Sequence, residues 1–132
     1  MKREIAERGG WIGKYYNPDM STKWPSNSGF THPLTDSDII TLQPGTVIDR
    51  YGYTGGSYLS PVNTPYEARA VEPGTISKPY NVYVVKESIR VYAGEVAPWF
   101  GMPGGGTQYY LGEGVTVQLL LEDSNPKLEE LR

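Results

Sequence analysis

The sequence has 132 residues, enough for one domain with one hydrophobic core but too few for two. It contains no cysteine, which excludes disulfides, thiolate metal sites and cysteine nucleophiles, and its single histidine excludes a multi-histidine metal centre. The net charge of -3 gives no global attraction for nucleic acids or anionic membranes, and no apolar run approaches the roughly 20 residues that span a bilayer.

Glycine, proline and tyrosine are in excess. The chain has 16 glycines and 11 prolines, together about a fifth of its residues against a usual share of roughly 12%. It has 11 tyrosines but two phenylalanines, so most of its aromatic rings carry a hydroxyl. Because the glycines follow no collagen period and β-branched residues lie between them, the composition predicts a turn-rich β domain and not a disordered chain.

Residues 1–41 predict an irregular segment that wraps over the core or stands out from it as a thumb. Residues 1–8 fit a short helix that Gly9 and Gly10 would end. Prolines and aromatic residues then alternate as far as residue 44, which favours a segment anchored by its rings, and residues 35–38 (TDSD) offer an N-cap for a single turn through Ile39 and Ile40. A linker inherited from a longer parent chain fits the same composition.

Residues 42–121 predict a β core that carries the site. Turn residues separate runs rich in valine and tyrosine, which predict one helical turn at 65–70 and strands at 46–51, 57–60, 80–85, 89–97, 107–111 and 115–121. The tail, residues 122–132, fits a frayed helix. We therefore expect a single domain over residues 1–132 with an α+β, mainly β fold: a small central antiparallel sheet, few short helices and long loops rich in glycine and proline.

The glycine clusters at 55–56 and 104–106 leave two interpretations open. Neither cluster belongs to a GxxxxGK[ST] fingerprint or to a GxGxxG fingerprint between a strand and a helix. They are either ordinary turns or places where backbone N–H groups and a missing Cβ let a ligand approach closely.

Arg50 and Arg69 both lie close to glycine turns. Two such arginines suit a bidentate clamp for a pyrophosphate. The alternative is a surface salt bridge, for example between Arg69 and either Glu67 or Asp49.

Three further kinds of polar residue are candidates for chemistry. Gln108 follows the triple glycine at the head of a predicted strand, where it would either orient a sugar hydroxyl or a water, or serve as an ordinary edge residue. His32 lies in the irregular segment without an acidic neighbour, which favours a bystander. No spacing identifies a glycosidase pair among the carboxylates Asp49, Glu67, Glu95 and Glu113.

Several ordered blocks of the sequence resemble the TNT (tuberculosis necrotizing toxin) domain family. The blocks are residues 42–52 (LQPGTVIDRYG), 55–61 (GGSYLSP), 64–70 (TPYEARA) and 97–109 (APWFGMPGGGTQY). With the strands between them, the resemblance covers residues 42–111, over half of the chain.

The resemblance implies NAD glycohydrolase activity: hydrolysis of the nicotinamide–ribose bond of NAD or NADP, which depletes the dinucleotide in target cells. Members of the family are usually C-terminal toxin domains of secreted bacterial effectors, often neutralised by a cognate immunity protein, and related domains occur in fungal secreted NADases. We therefore expect a domain excised from, or delivered with, a larger polypeptide and acting in the target-cell cytoplasm. The implied partners are NAD(P) as substrate and an immunity protein, with no cofactor, metal, nucleic acid or membrane.

The resemblance also implies roles for individual residues. Arg50 matches the arginine that contacts the dinucleotide phosphates, Tyr58 the aromatic beside the nicotinamide-ribose end, and Gln108 the glutamine tied to catalysis. A functional histidine of the family has no clear counterpart here; by spacing its place is near Asn81.

A second set of residues is assigned to substrate binding. Arg69 matches a second phosphate-side arginine, so that two arginines without a carboxylate in their motif core would supply the positive field for a pyrophosphate. Tyr51 and Trp99 would stack on nicotinamide or shield the ribosyl cation. Gly105 and Glu67 complete the set. For Glu67 an alternative role stays open, as the partner that orients Arg69.

Two alternatives remain. A non-catalytic protein-binding module would use the tyrosines and glycine loops as an interface, and it predicts that Arg50, Tyr58 and Gln108 do not converge on one pocket. ADP-ribosyl transfer or cyclisation would use the same site with another nucleophile, which residue spacing does not distinguish from hydrolysis.

Overall fold

A seven-stranded antiparallel sheet organises residues 14–19 and 21–131, the part of the chain that the computed structural model describes. Its strands are β1 (Ile39–Leu42), β2 (Val47–Tyr51), β3 (Tyr58–Pro61), β4 (Tyr80–Val85), β5 (Ile89–Glu95), β6 (Thr107–Tyr110) and β7 (Leu128–Glu130). Their order across the sheet is β1-β5-β6-β3-β2-β4-β7. The prediction of a mainly β, antiparallel fold is confirmed.

Helical structure is sparse in the described residues. One α-helix, α1, spans Val117–Glu122, and 3-10 turns lie at Asn27–Gly29, Asp36–Asp38, Tyr66–Arg69 and Thr75–Ser77. The helical turn predicted at residues 65–70 is thus present, and no helix of these residues has the length and apolarity needed to cross a membrane. The turn predicted through Ile40 is shorter: Thr35 caps it by accepting from the N–H of Ser37, but it ends at Asp38, and Ile39 begins β1.

One hydrophobic cluster holds the sheet to α1. Its buried members include Ile48 of β2, Leu59 of β3, Tyr83 of β4 and Val91 of β5, and Val117 and Leu120 of α1 pack into the same cluster. Because β2 pairs with β4 over five residues and also with β3, it is an interior strand of the sheet. The last two residues of β2 pair with β4 and lie beyond the register that β2 shares with β3.

Two predicted elements near the C-terminus are wrong. The pattern of residues 115–121 predicts a strand, but α1 forms there because the Thr116 hydroxyl caps the N–H of Leu119 and because Val117 and Leu120, three residues apart, bury one helical face. The tail fits a frayed helix in sequence, but Leu128 is buried in the core and pairs with Val85, which makes this segment the edge strand β7.

The described part of the N-terminal segment is attached through aromatic rings. Tyr15 and Tyr16 form a small buried cluster with Phe100, and Phe30 bridges to Val96 with its ring against Gly94. The helix predicted over residues 1–8 lies outside the described residues.

Candidate functional site

One cleft brings together five of the residues singled out from the sequence. Its lining comprises Asp49, Arg50, Tyr51, Tyr58, Leu59, Ser60, Arg69, Val71, Val96 and Gln108. It forms because β3 lies between β2 and β6, with Asp49 opposite Ser60 and Tyr58 opposite Tyr110. The protein-binding alternative predicts that Arg50, Tyr58 and Gln108 do not converge, and this prediction is wrong.

The cleft is narrow. Its cavity volume is about 50 Å³, whereas sites for small molecules and cofactors usually have roughly 300–1,000 Å³. A dinucleotide can therefore bind only if the neighbouring segments move or if most of the ligand lies outside the cleft.

Arg69 is paired with a carboxylate. Its Nη1 and Nη2 donate to the two carboxylate oxygens of Asp49 at 2.6 and 2.9 Å, and its Nε and Nη2 donate to the carbonyl oxygen of Thr64 at 3.1 and 2.8 Å. The exposed fraction is 8% for Arg69 and 0% for Asp49, so this is a buried ion pair and not a surface salt bridge.

The expected clamp of two arginines did not include this carboxylate partner of Arg69. Successive side chains of a strand point to opposite faces, so Asp49 and Arg50 of β2 turn away from each other. Asp49 faces Arg69, whereas Arg50 lies on the same face of the sheet as Tyr83, which pairs with Ile48. Of the two guanidinium groups, only that of Arg50 has a positive charge that no described carboxylate balances.

Arg50 is a half-buried cation held by backbone carbonyls. Its Nε donates to the carbonyl of Tyr53 and its Nη1 to the carbonyl of Tyr58, both at 2.9 Å. Burial lowers the pKa of Arg50 from its usual value, and none of the described carboxylates forms an ion pair with it. Of its five N–H donors, three have no hydrogen-bond partner among the described residues, including both on Nη2.

Gly56 is required by this arrangement. A Cβ on residue 56 would overlap Nη2 of Arg50, and a Cβ on residue 52 would crowd the same guanidinium. The missing Cβ of Gly56 thus makes room for the side chain of Arg50, and neither interpretation of the 55–56 cluster predicted this contact.

Tyr58 stands in a row of stacked rings. Its ring lies 4.7 Å from that of Tyr110 at an interplanar angle of 19°, and the ring of Tyr110 lies 6.1 Å from that of Tyr92. Burial raises the pKa of the Tyr58 hydroxyl, and a hydrogen bond with Ser28 offsets part of that rise. Tyr58 is therefore a neutral, aromatic wall of the cleft at physiological pH.

Tyr51 belongs to a second aromatic group. Its ring lies 4.6 Å from that of Tyr80, 5.2 Å from that of Tyr66 and 4.9 Å from Cζ of Arg69. These two groups hold six of the 11 tyrosines, and one ring of each group, Tyr58 or Tyr51, lines the cleft.

Gln108 is covered by the N-terminal segment. Its Nε2 donates to the carbonyl oxygen of Ser28 over a long 3.4 Å. Ser28 also bonds to Tyr58 and adopts a left-handed backbone, with φ 56° and ψ 26°. The turn Asn27–Gly29 therefore contacts two of the three residues expected to be catalytic, and no sequence pattern indicated this contact.

The triple glycine has its backbone N–H groups occupied. Gly104 donates to the carbonyl of Glu67, Gly105 to that of Val96 and Gly106 to that of Ala68. A Cβ on Gly106 would stand 2.9 Å from the Ala68 carbonyl. The loop thus fixes the start of β6 against the Tyr66–Arg69 turn, and Gly105, which was assigned to substrate binding, does not line the cleft.

Trp99 and Glu67 also lie outside the cleft lining. The Trp99 indole N–H donates to the carbonyl of Lys23 at 2.9 Å, and its ring packs edge-on against Tyr15 at 5.0 Å. Trp99 therefore fastens the N-terminal segment. Glu67 is exposed, and the role left open for it, orientation of Arg69, is performed by Asp49.

The two remaining positions are engaged in contacts of their own. His32 Nε2 lies 3.0 Å from Asp38 Oδ1, and this hydrogen bond lowers the pKa of Asp38. Asn81, near the place of the family's histidine, donates from its side chain to Glu130 of β7.

Known proteins share both the sequence pattern and the fold of this chain. The family model described as tuberculosis necrotizing toxin matches residues 41–129. The conidial surface nicotinamide adenine dinucleotide glycohydrolase of Aspergillus fumigatus is 34% identical over 102 residues, which cover 70% of this chain and 44% of that protein. The chain thus spans less than half the length of this curated relative.

Two solved structures share the fold. Tuberculosis necrotizing toxin complexed with its immunity factor superposes with a TM-score of 0.65 at 24% identity, over 86% of this chain and 65% of that one. Rhs1-CT in complex with its cognate immunity protein gives a TM-score of 0.52 at 19% identity, over 71% of this chain and 76% of that one.

Proposed function

The chain belongs to the tuberculosis necrotizing toxin family, whose model matches residues 41–129, and from this premise we propose that it is an NAD(P) glycohydrolase toxin domain. The observation that carries the proposal is the convergence of Arg50, Tyr58 and Gln108 on one cleft. The name of the Aspergillus fumigatus relative, a nicotinamide adenine dinucleotide glycohydrolase, supports the choice of substrate.

Cleavage of the nicotinamide–ribose bond requires little proton transfer by the protein. Nicotinamide leaves as a neutral molecule from a cationic pyridinium, so breaking the C–N bond needs no general acid. The ribosyl carbon becomes an oxocarbenium ion, the oxygen of a water molecule bonds to it, and the water's surplus proton passes to solvent. The products are nicotinamide and ADP-ribose, and the dinucleotide is a substrate and not a cofactor.

Each catalytic residue is assigned one task. Arg50, with three free donors and no carboxylate partner among the described residues, binds the pyrophosphate. Tyr58 presents the face of its ring to nicotinamide or to the developing cation. Gln108 holds a ribose hydroxyl or the attacking water once its long hydrogen bond to Ser28 is released.

A cognate immunity protein and a delivery route belong to the same proposal. The two solved structures compared above are complexes with an immunity factor or a cognate immunity protein. We expect the producing cell to make such a partner, which blocks the cleft, and the domain to act in a target cell after secretion or injection with a larger polypeptide. A pull-down from the producing cell that recovers no protein able to block NAD cleavage would count against this.

Product analysis by mass spectrometry tests the proposed function. The purified chain is incubated with NAD, and nicotinamide and ADP-ribose are quantified over time. Equal release of both supports hydrolysis. Nicotinamide without free ADP-ribose would point to cyclisation or ADP-ribosyl transfer, and no release from a folded sample free of immunity protein would overturn the proposal.

A further inference from the structure

The carboxylate of Asp49 is saturated with donors although it is fully buried. Oδ1 accepts from Nη1 of Arg69 at 2.6 Å, and Oδ2 accepts from Nη2 of Arg69 at 2.9 Å. The hydroxyl of Tyr80 donates to Oδ2 at 2.7 Å and the backbone N–H of Asn63 at 3.3 Å. An ionised carboxylate with these partners fixes the guanidinium of Arg69 in one position.

Counting donors shows what Arg69 has left for a ligand. An arginine has five N–H donors, and Asp49 takes one from Nη1 and one from Nη2. The carbonyl oxygen of Thr64 takes the donor on Nε and the second donor on Nη2. One N–H on Nη1 is left without a partner among the described residues, so bidentate binding of a phosphate by Arg69 is excluded in this arrangement.

The charge of the pair leads to the same conclusion. Arg69 and Asp49 form a buried pair with no net charge, and the attraction of Arg69 for an anion is offset by the repulsion from Asp49. Arg50 differs in both respects, because it has three free donors and no carboxylate partner in the described part of the chain.

We propose that Asp49 is a positioning residue, which keeps Arg69 neutralised so that its one free N–H contacts an uncharged oxygen of the nicotinamide riboside end of the substrate. The pyrophosphate is left to Arg50. This assignment rests on the proposed function. In place of the expected clamp by two arginines, Arg50 alone binds the phosphates, and Arg69, whose charge is balanced by Asp49, contacts the nicotinamide riboside end.

The test separates phosphate binding from turnover. ADP, which has the pyrophosphate but no nicotinamide riboside, is titrated calorimetrically into the wild-type chain, Asp49→Asn, Arg50→Gln and the double variant Asp49→Asn/Arg69→Gln. The kcat and KM for NAD are measured on the same samples. The double variant removes both charges together, so it avoids a lone buried ion if a single variant fails to fold.

The proposal expects opposite effects on ADP and on turnover. Asp49→Asn exposes the charge of Arg69, so ADP binds more tightly and with a steeper salt dependence while kcat for NAD falls. The double variant keeps the ADP affinity within about twofold and loses on the order of tenfold in kcat, the effect of one hydrogen bond to a charged group. Arg50→Gln weakens ADP binding by about tenfold or more on the same basis.

Two results would overturn it. One is a loss of ADP affinity in the double variant as large as in Arg50→Gln, which would make Arg69 a phosphate ligand. The other is unchanged kcat in both Asp49→Asn and the double variant. Failure of the proposed function would be recognised separately, because the wild-type chain itself would then release no nicotinamide from NAD.

Discussion

The guanidinium of Arg50 lies against the α-carbon of Gly56, in the space where any other residue would carry its Cβ. This contact explains why a glycine is needed in the turn between β2 and β3. Its neighbour Gly55 has no atom within 4 Å of the place a Cβ would take and no positive φ, so the two glycines form a matched pair for experiment.

Gly56→Ala displaces Arg50 and Gly55→Ala does not. In Gly56→Ala we expect a rise in KM for NAD of about tenfold, the effect of one lost charged hydrogen bond, and a loss of stability of about 1–3 kcal/mol from overpacking. Gly55→Ala stays within about 0.5 kcal/mol of the wild type. Steady-state kinetics and urea unfolding measure both. Equal behaviour of the two variants would show that Arg50 does not depend on this space.

Removing the Asp49 carboxylate leaves the buried Arg69 without its ion partner. Asp49→Ala leaves Arg69, which is 8% exposed, without its ion partner, and we expect a loss of about 3–5 kcal/mol in the free energy of unfolding. Asp36→Ala, at an exposed acidic residue, is the control and changes stability by less than about 0.5 kcal/mol. A loss in Asp49→Ala no larger than in the control would contradict the buried ion pair.

Four tyrosines make the fold sensitive to alkali. Burial raises the pKa of Tyr58, Tyr66, Tyr83 and Tyr109 above the usual 10.0, and the Tyr83 hydroxyl is buried without a hydrogen-bond partner among the described residues. A group whose pKa is raised by folding stabilises the native state below its unfolded pKa and loses that contribution as pH rises through the folded value. Stability should therefore fall above about pH 10.

Phenolate absorbance at 295 nm, recorded with circular dichroism, checks this. We expect these four tyrosines to ionise only above about pH 10, together with the loss of the fold. Ionisation of all tyrosines in one step near pH 10 with the circular dichroism unchanged would contradict it.

Ser28 carries backbone strain that glycine would relieve. Its φ of 56° lies in the left-handed region, whereas the nearby Ser26 is extended, with φ -63° and ψ 167°. We expect Ser28→Gly to stay within about 0.5 kcal/mol of the wild type, because relief of the left-handed backbone, roughly 1–2 kcal/mol, is offset by loss of the Ser28 hydrogen bond to Tyr58 and by the entropy of glycine, whereas Ser26→Gly, with no strain to relieve, lowers the free energy of unfolding. Urea unfolding of the two variants gives the comparison, and a destabilised Ser28→Gly would argue against the left-handed turn.

The sequence predicted the sheet better than the parts that pack onto it. The strands β2, β4 and β5 have valine and tyrosine runs between clear turns, which is a local signal. The choice between helix and strand at Val117 depends instead on a cap from Thr116 and on burial of Leu120, and the strand at Leu128 depends on a vacant edge of β4. These are tertiary effects, which periodicity does not contain.

Some residues of the site could be predicted from the sequence, whereas the contacts of others depend on the fold. Arg50, Tyr58 and Gln108 stand in ordered motifs, and the resemblance located all three in residues that the fold brings to one cleft. The partnership of Asp49 with Arg69 depends on which face of β2 each side chain occupies, and that follows from alternation along the strand. Ser28 lies 80 residues away from Gln108 in the sequence, so no local sequence pattern indicates the contact between them.

The most direct test compares NAD cleavage by the wild-type chain, Gln108→Ala and Thr107→Ala, a control at the adjacent exposed position of β6. Gln108 has one long hydrogen bond to lose, so its variant should fold normally while turnover falls by on the order of 100-fold, as for loss of one transition-state contact. The wild type and Thr107→Ala should release nicotinamide and ADP-ribose in equal amounts. Full activity in a folded Gln108→Ala, or no nicotinamide release by the wild type, would contradict the assignment of this cleft as the site of NAD hydrolysis.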